Sequence, residues 1–451
     1  MRGLEAFPRS LALVERDGKV LSGCARSPYY PLVVRSGRGA VVIDADGNDY
    51  IDFSAGAASL NTGVCHPRVV EAITDQARSL LCYTIGYMYE EASVELGERL
   101  CAVTPGTFPK KVAYGLSGSD AVDGAVKFAR AFTGRSEIIA FRTAYHGSSY
   151  GALSASAISL NMRRRLGPMV PGFHLFHYPI CARCPFGRRE DNCDLECLKD
   201  IEEAFGLYLP PEEVAAVLFE PIAGDAGLMV PPARYVRALA DLCRREGILF
   251  VSDEVQQGFG RTGRWFAIEH FAVEPDIVVL GKAIASGMPL SALVMRSEIA
   301  DALPDPGHIF TLAGGAVSCR AALATLDVID EENLVETSER LGKVIQDRLK
   351  AMKEDLPLLG DCRGLGLTIG QEIVDGDGKP DRDACAKVCF RCWQGGLILT
   401  FLGDNVLRIQ PPLVITDEEA LRGLEILRLA LEDYRAGSIG DEALRFARGW
   451  S

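Results

Sequence analysis

An acid and a lysine follow two predicted strands near the middle of the chain. The apolar run 248–251 leads within two residues to Asp253, and the run 277–280 leads within two residues to Lys282. Short continuous apolar runs are typical of strands that are buried on both faces. Because ligands of open α/β sheets bind at the carboxyl ends of the strands, Asp253 and Lys282 can share one site. This pair suits pyridoxal phosphate (PLP), which needs a lysine amine for its Schiff base and an acid that keeps its pyridine nitrogen protonated.

Three small polar residues between a predicted strand and a predicted helix form a candidate phosphate site: Ser117, Gly118 and Ser119. At a helix N-terminus, free backbone N–H groups and the positive end of the helix dipole attract phosphate. The same residues also suit an ordinary helix cap. Two nearby acids, Asp120 and Asp123, are compatible with a phosphate only if both carboxylates point away from the turn.

Two further strand ends carry side chains that could act on a ligand. Tyr145 could stack on a planar cofactor, with His146 beside it. After the next predicted strand, Glu220 could meet a cation and Asp225 could carry a proton. Each pair also has an ordinary interpretation, namely a half-buried aromatic residue in a turn and acids of a loop that face water.

Two motifs suggest other chemistry. Residues 258–263 match the GxGxxG fingerprint of dinucleotide sites, but no long amphipathic helix follows them, so we reject that interpretation. A CxxC pair and a CxxxC pair could bind zinc, although the second spacing is not a standard one. We assign no metal and keep these four as zinc candidates: Cys181, Cys184, Cys193 and Cys197. Three more cysteines at helical spacing are expected to be core thiols: Cys385, Cys389 and Cys392.

Composition excludes several classes of partner. The 451 residues, 48% of them hydrophobic, are enough for a large core and a smaller one. A net charge of −13, spread along the chain, argues against nucleic acid or an anionic membrane as partner. No apolar run approaches the ~18 residues of a transmembrane helix, and charges at Arg2, Glu5 and Arg9 interrupt the start too early for a signal peptide. We therefore expect a cytoplasmic protein whose 14 cysteines are mostly thiols.

The order of the predicted elements indicates an α/β fold. From residue 111, buried strands alternate with helical stretches, which predicts a mostly parallel central sheet covered on both faces. Before it, an Asp-Gly turn between the runs 40–44 and 50–53 predicts a hairpin, and the first 36 residues are expected to form an irregular arm. The expected segments are the arm and hairpin (1–60), a large PLP-binding α/β domain (61–320, with a cysteine-containing insertion at 179–200) and a smaller C-terminal α+β domain (321–451).

From about Ala40 to Tyr434 the sequence resembles the class III aminotransferase family, PLP enzymes of fold type I. The resemblance implies that Lys282 is the Schiff-base lysine and that Asp253 is the partner of the pyridinium nitrogen. Its further implications are a contact of Gln256 with the phenolic oxygen of the cofactor, phosphate binding by Gly118 and Ser119, stacking of Tyr145 on the cofactor ring, and a phosphate contact from Thr311 of the other subunit. Family members are dimers or tetramers with shared active sites, so a homodimer or homotetramer is implied.

The resemblance also favours an α-amino acid as substrate. Arg408 matches the family arginine that binds an α-carboxylate through a two-point fork. Glu220 matches the glutamate that can pair with that arginine. The 4-aminobutyrate aminotransferases have an arginine where this chain has Ser148, which weakens an ω-amino acid substrate.

Several stretches are more similar to the amino acid racemase and 2-epimerase branch of the family: 117–121, 157–162, 285–290 and the terminal Gly449 and Trp450. Asp225 falls where that branch has an aspartate proposed as second acid/base, although Ala223 and Ala226 depart from the surrounding motif. We therefore predict racemisation or 2-epimerisation at Cα by two-base proton transfer, ahead of transamination. A third possibility, a binding protein without enzymatic activity, requires Lys282 to be inert.

Overall fold

The computed structural model describes residues 2–447, and the chain divides into two compact units. One unit comprises Met1–His66 and Glu336–Ser451, and the other Pro67–Val335. Gly449 and Trp450, which contribute to the resemblance above, lie outside the described residues. Within residues 2–447, no helix combines the length and the apolar character that a membrane span requires.

The bounds of the regular elements follow in chain order. The strands are β1 (Val34–Arg38), β2 (Val41–Asp44), β3 (Asp49–Asp52), β4 (Lys110–Gly115), β5 (Glu137–Phe141), β6 (Phe173–Phe176), β7 (Val214–Phe219), β8 (Leu249–Asp253), β9 (Ile277–Leu280), β10 (Ser291–Arg296), β11 (Leu359–Leu365), β12 (Thr368–Ile373), β13 (Leu397–Ile398), β14 (Thr400–Leu402) and β15 (Val406–Ile409). The α-helices are α1 (Pro8–Val20), α2 (Ala55–Ala58), α3 (Pro67–Ser79), α4 (Glu91–Val103), α5 (Gly118–Thr133), α6 (Tyr150–Ala155), α7 (Glu196–Leu207), α8 (Ala233–Glu246), α9 (Ser297–Ala300), α10 (Ala316–Glu331), α11 (Leu334–Asp355), α12 (Arg382–Gly395) and α13 (Asp417–Arg435).

A seven-stranded sheet in the order β4-β10-β9-β8-β7-β5-β6 organises the unit Pro67–Val335. Strands β9, β8, β7, β5 and β6 run parallel, whereas β10 is antiparallel to both β4 and β9. The mostly parallel central sheet is thereby confirmed. All residues of β7, β8 and β9 are buried, because helices cover both faces of the sheet and the strands are apolar throughout.

Helix α5 fixes the turn that precedes it against this sheet. Its buried side chains, among them Val122, Ala125 and Ala129, share one core with Val279 of β9 and Leu293 of β10. The helix ends at a glycine, at 134, in the left-handed conformation. Packing of this apolar face holds the N-terminus of α5, and with it residues 117–119, at one edge of the sheet.

The other unit contains two four-stranded sheets, β1-β2-β3-β13 and β11-β12-β15-β14. The predicted hairpin is present as the antiparallel pair of β2 and β3. The three cysteines of α12 are fully buried, which confirms them as core thiols: Cys385, Cys389 and Cys392. Arg408 lies on β15, next to β12 and β14.

The prediction of an irregular arm over the first 36 residues is wrong. Residues 8–20 form helix α1, and β1 begins at Val34. The carboxylate of Asp46 accepts the backbone N–H groups of Arg9 (2.7 Å) and Ser10 (2.9 Å), and the ring of Phe7 packs on Trp393 with centroids 4.2 Å apart. The groups that stabilise the start of this helix therefore come from distant parts of the chain, where local sequence patterns do not reveal them.

Two helical glycines differ in the space around them. An added Cβ at Gly342 in α11 would lie 2.0 Å from the carbonyl oxygen of Gly366, whereas Gly18 in α1 has open space around it. We expect Gly342→Ala to lower the free energy of unfolding by about 1–3 kcal/mol, because backbone must move. As the matched control, Gly18→Ala should leave stability unchanged or raise it by up to about 1 kcal/mol. Thermal unfolding of both variants measures the difference, and equal stability would contradict the close approach.

Candidate active site

A cavity of about 220 Å³ lies at the carboxyl edge of the parallel strands and brings most of the predicted site residues together. Its walls are Ser117, Gly118, Ser119, Tyr145, His146, Gly147, Ser148, Glu220, Ile222, Asp253, Val255, Gln256, Gln257 and Lys282. Four of these were not singled out from the sequence: Gly147, Ile222, Val255 and Gln257. Each of them is one or two positions from a predicted residue in the same loop. Their closeness to those residues in the sequence was therefore the signal that could have identified them.

Asp253 is held in place by His146. Its Oδ2 lies 2.7 Å from Nδ1 of His146, and its Oδ1 accepts the backbone N–H of Val255 at 3.0 Å. Both side chains are almost completely buried. The structure thus shows that His146 is hydrogen-bonded to Asp253, whereas the sequence predicted only that it lies beside the ring of Tyr145. A buried, oriented carboxylate of this kind suits a cationic ring nitrogen.

The lysine of the site has an unusual backbone. Lys282 adopts φ 44°, in the left-handed region that non-glycine residues avoid. The preceding Gly281 lies so close to the turn 117–119 that an added Cβ would be 3.3 Å from Cα of Gly118. Strained backbone at the wall of a cavity is characteristic of positions where a side chain must point in one direction.

The two acids near the phosphate turn point away from it. The carboxylate of Asp120 accepts the backbone N–H of Leu116 (2.9 Å) and of Ser117 (3.0 Å), and also the hydroxyl of Ser291 (2.9 Å). Asp123 Oδ1 accepts the backbone N–H of Ala152 at 2.7 Å. Both negative charges are therefore used inside the fold, and the condition for anion binding at the N-terminus of α5 is met.

The turn itself is tied to the loop that carries Tyr145. Ser119 Oγ accepts the backbone N–H groups of Ser148 (2.9 Å) and Ser149 (2.8 Å). Along the same loop, the hydroxyls of Tyr145 and Ser148 are 3.2 Å apart. Gly118 faces Val255 so closely that an added Cβ would be 2.8 Å from Val255 Cγ1. The turn and the loop therefore form one wall of the cavity.

The loop after β7 adds two buried acids. Glu220 and Asp225 are 7% and 6% exposed, and Glu220 Oε1 accepts the backbone N–H of Gly224 at 3.4 Å. Burial, together with Asp253 and Asp225, raises the pKa of Glu220 well above its usual value, and Lys282 acts in the opposite direction. Asp225 is thus close enough to influence Glu220, although it is not part of the cavity wall.

Two further predicted residues belong to other segments of the chain, Arg408 to the unit that comprises 1–66 and 336–451 and Thr311 to the segment before α10. Arg408 is 5% exposed in β15, where its Nε donates to Thr400 Oγ1 at 3.0 Å. Thr311 is an exposed residue between β10 and α10. Thr311 is not among the residues that line the cavity.

The four cysteines of the insertion are partly buried thiols, and burial raises the pKa of Cys197 to about 12. Cys193 Sγ donates to Glu196 Oε2 at 3.1 Å. In the part of the chain that the structure describes, no three His, Cys, Asp or Glu side chains are arranged as ligands of one metal ion.

These features fit PLP. The helix N-terminus and its turn suit the phosphate, Asp253 suits the ring nitrogen, and Lys282 supplies the amine. Gly118 leaves the space that a Cβ would fill.

Comparison with known proteins gives one consistent family. The model described as "Aminotransferase class-III" matches residues 24–431. The leucine/methionine racemase of Thermococcus litoralis is 43% identical over 98% of this chain and 100% of its own length. The isoleucine 2-epimerase of Lentilactobacillus buchneri is 42% identical over 95% of this chain and 96% of its own length. Among solved structures, a Bacillus anthracis aminotransferase superposes with a TM-score of 0.87 at 31% identity, covering 94% of this chain and 98% of that one.

Gly118→Ala tests the fit at the turn. The added methyl group would press on Val255, 2.8 Å away, and displace the backbone that faces the phosphate. We expect PLP to bind about tenfold or more weakly, measured by titrating the purified protein with PLP and following its absorption. Gly206→Ala in α7, where the space is open, is the control and should bind PLP normally. Unchanged affinity in Gly118→Ala would show that the turn does not contact the cofactor.

Proposed function

The chain belongs to the class III aminotransferase family, a family of PLP enzymes, and from this premise we propose that it is an amino acid racemase or 2-epimerase. Its substrate is an α-amino acid whose configuration at Cα is inverted. The observation that carries the proposal is a second buried acid, Asp225, beside the cavity that holds Lys282. The names of the two relatives above, a racemase and a 2-epimerase, agree with it.

Although Ala223 and Ala226 depart from the branch motif, the two ends of the loop that carries Asp225 are still hydrogen-bonded to each other. Ala223 and Met229 exchange two backbone hydrogen bonds, of 3.0 and 3.1 Å, which hold the ends of this loop together. Because these bonds use only backbone atoms, they do not depend on a polar side chain at position 223. The loop can therefore hold Asp225 in its buried position even though position 223 is alanine and not a polar residue.

When it is bound, PLP supplies a pyridinium ring that withdraws electrons and so makes the Cα proton of the substrate acidic. The N-terminus of α5 and Ser119 bind the phosphate, and Asp253, oriented by His146, stabilises the positive charge of the ring nitrogen. Lys282 Nζ takes or returns the proton at one face of Cα. Asp225 takes or returns it at the opposite face, so that the centre is inverted and no group is consumed.

Transamination is the second candidate. It requires proton transfer by Lys282 alone, and the absence of Asp225 from the cavity wall favours it. Other relatives also carry aminotransferase names, such as the probable 4-aminobutyrate aminotransferase of Bacillus subtilis. Ser148, which bonds to Tyr145 in the cavity wall, provides no cation for a distal carboxylate, and this argues for an α-amino acid in either reaction. We assign the α-carboxylate to Arg408.

We further propose that the enzyme is a homodimer, or a homotetramer built from such dimers. Segments 80–89 and 309–312 lie together, because Gly86 packs on Ile309. They expose large apolar side chains that we call the 81–312 patch, with relative exposures of 67% for Leu81, 57% for Tyr83, 78% for Tyr87, 102% for Tyr89 and 59% for Leu312. Large apolar side chains that are exposed together are characteristic of an interface. Thr311 lies within it, where a second copy can receive it as a phosphate ligand.

The reaction is tested with L-amino acids in heavy water without a 2-oxo acid. We expect the D-form or the 2-epimer to accumulate over many turnovers, as chiral chromatography measures it. Product that appears only after an acceptor is added would favour transamination. Asp225→Asn should slow inversion by a factor of about 100 or more while Cα exchange on one face continues. Asp241→Asn on the exposed side of α8 is the control, and loss of both reactions in Asp225→Asn would make Asp225 structural.

The interface is tested by placing a charge on the patch. We expect Leu81→Asp with Leu312→Asp to produce monomers, because burying two carboxylates costs more than the interface gains at these positions. Sedimentation measures the mass, and PLP affinity should fall with it since Thr311 no longer reaches a neighbouring site. Leu207→Asp, on an exposed leucine outside the patch, should leave both unchanged. A dimer that survives the double substitution would refute this interface.

A further inference from the structure

Two consecutive glutamines after β8, Gln256 and Gln257, line the same cavity. In a strand their side chains would point to opposite faces, but residues 255–260 form turns. Nε2 of Gln257 donates to Oε1 of Gln256 at 3.1 Å. Both side chains are buried, with 9% of Gln256 and 1% of Gln257 exposed. The cavity wall therefore contains a hydrogen-bonded pair of amide groups.

The backbone that carries this pair is fixed by its neighbours. Asp253 Oδ1 accepts the backbone N–H of Val255 at 3.0 Å. The carboxylate of Glu254 accepts the backbone N–H groups of Ala267 (3.0 Å) and Ile268 (2.7 Å). The two glutamines consequently extend from a turn that is already held in place, and what remains to be determined is the orientation of each amide group.

An amide group has one end that donates hydrogen bonds and one that accepts them, and its partners decide which end faces a ligand. The bond from Gln257 occupies Oε1 of Gln256, so that Nε2 of Gln256 is the end available to a ligand. Rotation of the Gln256 amide by half a turn would place two N–H groups against each other and lose this bond.

Gly224, in the loop after β7, leaves the space that the Gln256 amide needs. An added Cβ at Gly224 would lie 2.3 Å from Oε1 of Gln256 and 3.0 Å from its Nε2. The acceptor end of the amide is thus the end that packs more closely on this loop. Gly224 and Gln257 together define one orientation of Gln256.

We propose that Gln257 is a positioning residue, which holds the amide of Gln256 so that its Nε2 donates a hydrogen bond to the phenolic oxygen of bound PLP. The contact of Gln256 with that oxygen is implied by the family resemblance, whereas the 3.1 Å bond carries the role of Gln257. Gln257 acts through Gln256. Because the proposal concerns the cofactor and not the substrate, it holds for racemisation and for transamination alike.

The visible absorption of the holoenzyme reports on this hydrogen bond. The negative phenolic oxygen of PLP stabilises the proton on the adjacent Schiff-base nitrogen, and an N–H group that donates to the oxygen weakens this effect. Loss of the donor therefore raises the pH at which the absorption band of the bound cofactor changes. The ionisable groups that line the cavity are the same in all the variants below: Tyr145, His146, Glu220, Asp253 and Lys282.

Without substrate, we expect Gln257→Met to raise the midpoint of this absorption change by about one pH unit, and Gln256→Met to raise it by at least as much. The double variant should shift the midpoint no further than Gln256→Met, because Gln257 then has no amide to orient. Gln257→Asn retains a polar group for folding but is one methylene shorter, so it should also raise the midpoint. Gln346→Met in α11 is the control and should leave it unchanged.

Thermal unfolding identifies the variants that are folded, and two results with folded variants overturn the proposal. One is an unchanged midpoint in Gln256→Met, Gln257→Met or Gln257→Asn. The other is a double variant in which the two single shifts add, since a structural role of Gln257 would act independently of the Gln256 amide. Neither result depends on which amino acid reacts or on Asp225, so this test and that of the reaction fail separately.

Discussion

The 2.7 Å contact between Asp253 and His146 joins two strand ends, and the arrangement of the cavity depends on it. It is buried, so neither group can be satisfied by water instead. Because His146 belongs to the loop after β5 and Asp253 ends β8, the contact fixes one loop across the intervening β7. The side chains of that loop then meet the phosphate turn through Ser119. A single buried hydrogen-bonded pair thus helps to set the positions of three walls of the cavity.

Close approaches between the backbone of one loop and the residues of another also determine the shape of the cavity. At Gly118, Gly147 and Gly224 an added Cβ would lie 2.8 Å or less from atoms of Val255, Ser119 and Gln256 respectively. Glycine at these positions lets loops from different strands touch without side chains between them. The cavity is therefore shaped as much by the absence of side chains as by the polar groups that line it.

The strands and most of the cavity were predictable, since their signals are local. Apolar runs predict buried strands, and β9 begins and ends where the run 277–280 does. Helix α1 was missed because its first N–H groups bond to Asp46, more than thirty positions away. The directions of Asp120 and Asp123 were likewise undetermined, since their partners at Ser291 and Ala152 become neighbours only in the fold. Sequence spacing alone could not show that Asp225 is buried and close enough to influence Glu220 without lining the cavity.

The hydroxyl of Ser119 illustrates how such a site is prepared before any ligand arrives. Two backbone N–H groups, of Ser148 and Ser149, already occupy the lone pairs of its oxygen. The hydroxyl of Ser119 can therefore only donate a hydrogen bond. Ser149 Oγ, 2.9 Å away in the neighbouring loop, can accept it and would compete with a ligand. Folding already fixes the hydroxyl of Ser119 as a donor. The conformational entropy lost by ordering it is therefore a cost of folding and not of ligand binding. The Ser119 hydroxyl can therefore bind a ligand group that accepts a hydrogen bond, but it offers no lone pair to a ligand group that can only donate one.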